Sequence, residues 1–410
     1  MKLPVLGTLF TDPTNRRAYY CSFLLVITFF CIIFLLGTPF FANKQGILSG
    51  WGAIKSLRNA KSNSCEDLCR SPGSEPLPIG IVNRKSNLEI LPIQGSEYIP
   101  NSPDIVKASK SLLAIAVGIK QKKVVDQIAK KFSSSKFTIM LFHYDGVVDE
   151  WGDLQWSDSA IHVSAINQTK WWFAKRFLHP DIVAEYDYIF LWDEDIGVEH
   201  FHPASYISII EIEGLQISQP ALDTAKSEVH HQITARGRKG HVHRRIYKSR
   251  GGGRCYENST APPCTGWVEM MAPVFSRAAW RCVWHMIQND LIHAWGLDMK
   301  LGYCAQGDRS KNIGVVDSEY IVHMGIPTLG RLAETKSSAE ATDHASELAP
   351  SYGETMVPPG SSGITDRSAI RRRSYAELMM FKQRWERAVY ADDCWHDPYS
   401  EIKKNEQILS

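Results

Sequence analysis

An α/β domain on an open sheet that begins parallel is the fold class this sequence predicts, and three stretches predict it. Ser111–Gly118 and Phe137–Asp145 are apolar runs of strand length, and between them Val124, Ile128 and Phe132 lie four apart on one helix face. Strand, helix and strand with short links make a βαβ unit, a parallel pair with a right-handed crossover. The third stretch, Tyr186–Gly197, reads as a strand buried on both faces that stops in Asp193, Glu194 and Asp195. Carboxylates at a buried strand end are costly unless a cation meets them. In open α/β sheets the ligand crevice lies outside the carboxyl ends of the strands. Asp193 and Asp195, two apart on an extended backbone, point to one side and can share a divalent ion. Oxygen ligands suit Mn²⁺ or Mg²⁺ with positions left for substrate phosphates. The competing reading is a solvated acidic turn.

The chain ahead of this domain divides in three. Residues 1–17 carry Lys2, Arg16 and Arg17, whereas no charged residue lies between Arg17 and Lys44. Residues 18–42 are long enough to span a hydrocarbon core, and Phe40-Phe41-Ala42 is a poor cleavage site, which predicts an uncleaved transmembrane anchor. The positive-inside rule puts the tail in the cytosol and the bulk of the chain in a lumen, as a single-pass type II protein. Residues 43–107, rich in Ser, Asn, Gly, Pro and Lys, read as a stem with a Cys65/Cys69 knot. Seven cysteines lie beyond the anchor, an odd number whose pairing the sequence does not reveal. The sequons at Asn167 and Asn258 also fit a lumen. A Golgi location follows from the tail, anchor and stem plan, and nucleic acid is not an expected partner there. The formal net charge of +2 points to no class of partner, and an oligomer stays open.

The main domain is expected over residues 108–330. Asp145 ends the second strand, where a helix or turn cap competes with a ligand role. Residues 146–168 read as irregular, Lys170–Leu178 as a helix, Pro203–Glu213 as a helix begun by its proline, and Ile217–Leu222 as a strand. Val229–Tyr256 contains no acid and includes Arg244, Arg245 and Lys248, a basic loop that can clamp a diphosphate or lie solvated on the surface. Gly266–Phe275 reads as a strand carrying Glu269, Arg277–Gln288 as a helix, and Trp295-Gly296-Leu297-Asp298 opens a further helical stretch. Two short strands, Ile313–Asp317 and Tyr320–His323, close the domain. His323 ends an apolar run as Asp193 does, which makes its imidazole a candidate extra metal ligand. Residues 331–366 read as a flexible linker. Within 367–410, Ser374–Glu377 is a capping box opening a helix that docks through Tyr375, Leu378, Phe381, Trp385 and Val389.

Taken together, Leu112 to His323 resembles the glycosyltransferase A fold, a Rossmann-type mixed sheet flanked by helices. More narrowly, Phe190-Leu191-Trp192-Asp193-Glu194-Asp195, Ile217–Asp223 and Cys394-Trp395-His396-Asp397-Pro398 resemble the plant family known as domain of unknown function 707. A label attached to that family, lysine-ketoglutarate reductase trans-splicing, finds no support in these residues. The resemblance implies transfer from a nucleotide-sugar donor to a glycan acceptor. Asp193, Asp195 and His323 would hold Mn²⁺ or Mg²⁺, Asp145 would face base and ribose, and Arg244, Arg245 and Lys248 would assist the diphosphate. Asp298 is the first candidate for the catalytic base by analogy with Trp-Gly-x-Asp loops, and Glu269 the second. Two alternatives remain: a non-catalytic glycan- or protein-binding module on this scaffold, and a metal-dependent hydrolase.

Overall fold

Strands β1 (Ser111–Val117), β2 (Phe137–His143), β3 (Ile161–Ser164) and β4 (Tyr188–Trp192) form the parallel half of the sheet. Beyond them lie β5 (Ile196–Gly197), β6 (Ile217–Leu222), β7 (Val242–His243), β8 (Val274–Ser276) and β9 (Ile313–His323). The order across the sheet is β3-β2-β1-β4-β8-β6-β9-β5, with β7 on β9. β8 runs antiparallel to both β4 and β6, while β6 and β9 are parallel, so the sheet is mixed. This computed structural model describes residues 65, 70–82, 110–133, 136–237, 240–248, 250, 254–326 and 365–399. All named elements fall in the unit Arg70–Ser410, which is separate from Met1–Cys69.

The helices are α1 (Lys122–Phe132), α2 (Lys170–Phe177), α3 (Pro203–Ile212), α4 (Arg277–Met286), the short α5 (Arg309–Asn312) and α6 (Thr365–Ala391). Because successive strand residues face opposite ways, Leu112, Ala114 and Ala116 of β1 pack with α2, α4 and α6, whereas Leu113, Ile115 and Val117 pack with α1 and α3. Each helix begins where the sequence allows. Thr169 accepts from Trp172 N ahead of α2, Ser276 from Ala279 N ahead of α4, and Pro203 opens α3. Disulfides join Cys255 to Cys264 and Cys282 to Cys304. The second ties α4 to the 3₁₀ segment Asp298–Cys304.

Four expectations change. Residues 146–168 contain β3, a four-residue edge strand whose outward residues hide its pattern. The strand expected over Gly266–Phe275 shrinks to Val274–Ser276, because the preceding residues leave the sheet to line a cleft. The two closing strands are one, β9. α6 begins at Thr365, so the Ser374–Glu377 capping box lies inside the helix: Ser374 Oγ bonds back to Ile370 O, and Glu377 turns inward. It docks through Phe381, Trp385 and Ala388 with Leu378 and Val389 half-buried beside them, and of the expected stripe only Tyr375, 59% exposed, stays out. Among the described residues no helix is long and apolar enough to cross a membrane. The tail, the anchor at 18–42, Cys69 of the stem and most of the 331–366 linker lie outside the described residues.

Candidate active site

β1 is flanked by β2 on one side and β4 on the other, so the chain reverses direction across the sheet between β1 and β4. Their carboxyl ends are therefore the topological switch point, where a crevice opens. β4 delivers Asp193, Glu194 and Asp195 to that crevice, and each acid meets a different partner.

Asp193 is held by Lys170, whose Nζ lies 2.7 Å from Oδ1. Lys170 heads α2, is only 8% exposed, and also donates to Met270 O (2.7 Å) and Met271 O (3.1 Å). An ammonium so buried requires such acceptors. Asp193 keeps 41% of its side chain open to the cleft but sits deep in it; desolvation pushes its carboxyl up, Lys170 pulls it back, and the net shift is upward. Glu194 turns away and accepts from the Tyr144 hydroxyl at 2.6 Å. Burial, opposed by that hydrogen bond and reinforced by Asp193 and Asp195, raises its carboxyl to about 8. Asp195 Oδ2 accepts from Ile326 N (3.0 Å) and lies 3.4 Å from His323 Nε2. His323 reaches it because β9 pairs with β5, Ile196 opposite His323. The Asp195 carboxylate raises the imidazole above its ordinary value against the effect of burial, and Nδ1 is buried without a partner.

Glu269 and Asp298 stand on the other side. Glu269 Oε2 is buried without a hydrogen-bond partner. Burial pushes its carboxyl up, His323 pulls it down, and Asp193 and Asp298 push it further, to about 7. Asp298 begins the 3₁₀ segment; burial raises its carboxyl, while the backbone amide of Met299 opposes. Asp193, Glu269, Asp298 and His323 all line one cavity of about 1200 Å³.

The remaining expected residues lie elsewhere. Arg244 pairs with Glu213 (2.7 Å) and donates to Lys311 O, and Arg245 donates to Tyr256 O and Ser259 O. Lys248 pairs its backbone with Cys255. None of the three lines the cavity, and nearby acceptors hold the two arginines away from it. The loop brings His230 and His231 to the cleft instead. Asp145 accepts from Ile119 N (2.7 Å) and Val147 N (3.0 Å), so both its oxygens cap backbone. His230 and His231 stand out in the sequence as part of the histidine-rich basic stretch Val229–Tyr256, whereas Lys170 and Tyr144 are not marked there. Lys170 carries no local signal there, since Lys175 of the same helix is equally buried against Trp284.

The donor set suits a hard divalent cation. Among the described residues no three His, Cys, Asp or Glu converge into a ready cage. Asp195 and His323 already touch, with Asp193 beside them, and Mg²⁺-type sites take one or two carboxylates and fill the rest with water and phosphate. These residues fit such an ion: Asp193 and His323 line the cavity, and Asp195 lies against His323.

The family profile described as "Protein of unknown function (DUF707)" matches residues 68–391. No curated protein matches. Among solved structures, TarS 1–349 from S. aureus aligns at TM-score 0.33 and 9% identity over 52% of this chain and 59% of that one; a TarS structure in complex with UDP also aligns. GlyE of Streptococcus pneumoniae TIGR4, a glycosyltransferase, gives 0.28 and 10% over 51% and 45%. The mannosyltransferase Ktr4p from S. cerevisiae gives 0.21 and 11% over 40% and 55%. This chain spans less than two thirds of the length of each.

Proposed function

The chain belongs to the DUF707 family, and from that premise and the cleft at Asp193 we propose a metal-dependent glycosyltransferase of glycosyltransferase A type, using a nucleotide-sugar donor and a glycan acceptor. One observation carries the reading. At the switch point of a mixed sheet, Asp193, His323 and Glu269, whose Oε2 has no hydrogen-bond partner, line one large cavity, and Asp195 lies against His323. That combination supplies what glycosyl transfer needs: a place for a diphosphate-bound cation and a carboxylate in the wall of an open volume.

In this reading Asp195 and His323 would hold Mn²⁺ or Mg²⁺, with Asp193 beside them. Bound there, the ion would supply Lewis-acid stabilisation to the departing diphosphate. Lys170 fixes Asp193 and adds positive charge where the leaving group gathers its negative charge. Glu269 accepts the proton from the acceptor hydroxyl as that oxygen bonds to the sugar and the sugar–phosphate bond breaks, an inverting displacement. Its carboxyl, raised to about 7, matches the demand that a base titrate near the working pH. Asp298 has backbone amides to satisfy it, so it ranks behind Glu269 as the base and serves to orient the acceptor. The site works in a lumen, behind an anchor at residues 18–42 and in the Golgi.

The test is product analysis. The full-length chain, given a panel of sugar nucleotides, Mn²⁺ and mixed oligosaccharides, is expected to release nucleoside diphosphate only when an acceptor is present. Release with water alone would make it a hydrolase. No release, with nucleotide bound, would make it a binding scaffold.

A further inference from the structure

We propose that Trp295 is the platform on which an oligosaccharide acceptor stacks, and that α6 is the wall along which that acceptor lies. This rests on the transferase reading and names its acceptor class. Four observations converge.

Trp295 is out of place as a packing residue. Trp151, Trp192, Trp267 and Trp280 are fully buried, while Trp295 is 45% exposed and opens into the same cavity as Glu269. A large apolar side chain kept in water inside a cleft marks a binding surface.

The display is built into the backbone. Trp295 sits between two left-handed residues, Ala294 (φ 57°) and Gly296 (φ 92°). Alanine is disfavoured there, and such a conformation persists only where the surroundings fix it. They do so here. Glu377 of α6, buried, accepts from His293 N (2.8 Å), faces His293 Nδ1 (3.0 Å) and receives Arg373 Nε (3.2 Å). On the other flank a side chain at Gly296 would stand 2.6 Å from Leu378 Cδ1. The turn is thus pinned to α6 from both sides.

The cleft is long. α6 lines it from Arg371 to Glu386, sixteen residues spanning about 22 Å of helix, which exceeds any single pyranose. Glu269 lies in the same cavity, so whatever covers Trp295 is continuous with the group that must reach the base.

The chemistry is mixed as a sugar is mixed. A pyranose presents a flat C–H face and a rim of hydroxyls; the indole offers a flat apolar face, and Asp298, His231 and Lys382 around the cavity offer partners to the rim. A nucleotide base would also stack on an indole, and the test separates the two.

The purified full-length chain would be titrated calorimetrically with gluco-, xylo-, manno- and galacto-oligosaccharides from monosaccharide to hexasaccharide, and separately with UDP plus Mn²⁺. Expected is affinity that grows with chain length, falls about tenfold or more in Trp295→Ala, and is largely kept in Trp295→Phe, with UDP binding equal in all three. Oligosaccharide binding unchanged in Trp295→Ala, or UDP binding lost in it, would overturn the assignment. UDP bound but no oligosaccharide bound would sink the platform and leave the transferase reading standing. Trp295-dependent oligosaccharide binding with no nucleotide bound by any variant would sink the transferase reading and leave the platform.

Discussion

Replacing Lys170 by methionine tests the electrostatic frame of the cleft. Methionine keeps the length and apolar stem but removes a buried ammonium that donates to Met270 O, Met271 O and Asp193. Met271 O retains a partner, since Asp193 N donates to it at 2.8 Å, so Met270 O is the carbonyl left bare. A hydrogen bond to a charged group contributes about 1.5–3 kcal/mol, and a bare buried acceptor costs about 1–3. Water reaches Asp193, which is 41% exposed, and softens its loss. The sum is roughly 3 kcal/mol, or about 6 °C in Tm for a domain of this size. The pH dependence gives a second signature. Lys170 pulls the Asp193 carboxyl down from where burial would put it. A carboxyl pulled down by a partner gains stability from it above the ionisation range and loses that gain as pH falls. The gap between wild type and Lys170→Met is therefore widest at neutral pH and narrows on acidification. Calorimetry between pH 4 and pH 8 reads both. A variant that melts within about 1 °C of wild type, with a gap flat in pH, would refute the reasoning.

Three further outcomes follow from the same geometry. Glu269→Gln is expected to lower kcat/KM by about 10²–10⁴ and to abolish the wild-type rise in rate as pH climbs through about 7, read from a pH–rate profile. Because burial raises the folded-state carboxyl from 4.5 to about 7, wild type loses stability across that window as pH rises, and the glutamine variant does not. His243 sits between the Asp317 carboxylate (2.8 Å) and Ile233 O (2.6 Å), two acceptors that favour imidazolium; burial opposes the charge but Asp317 prevails, and the group is raised. Its contribution is full below pH 6.5 and fades above its raised value, so His243→Asn costs about 1–2 kcal/mol at pH 6 and less at pH 9 in urea unfolding. Cys282→Ser with Cys304→Ser opens a loop with a sequence separation of 22 and should cost about 3 kcal/mol, loosening the segment that bears Asp298.

The sequence carried the frame of the fold and half of the site. Ser111–Val117, Phe137–His143 and Tyr188–Trp192 were legible because strands buried on both faces read as nearly continuous apolar runs. The acids at 193–195 were legible because charge at the end of a buried strand is costly unless a cation meets it. β3 was not, since an edge strand exposes the alternation that would betray it. The basic loop misled for a related reason. Composition shows that Arg244, Arg245 and Lys248 are cations but not that Glu213 and a set of carbonyls already hold the two arginines. The ranking of Glu269 and Asp298 needed coordinates, because it turns on which carboxylate keeps an oxygen without a partner. Lys170 needed them most: its role depends on the carbonyls of Met270 and Met271, about a hundred residues away.

The measurement that bears most directly on the central claim is binding of UDP, GDP and ADP to the full-length chain with and without Mn²⁺, beside an Asp195→Asn, His323→Ala double variant of matched Tm. The geometry predicts that one diphosphate binds only with the metal and that the variant loses it by about a hundredfold or more. Equal binding by the variant, or binding indifferent to Mn²⁺, would contradict a metal site at Asp195 and His323 and the transferase reading built on it.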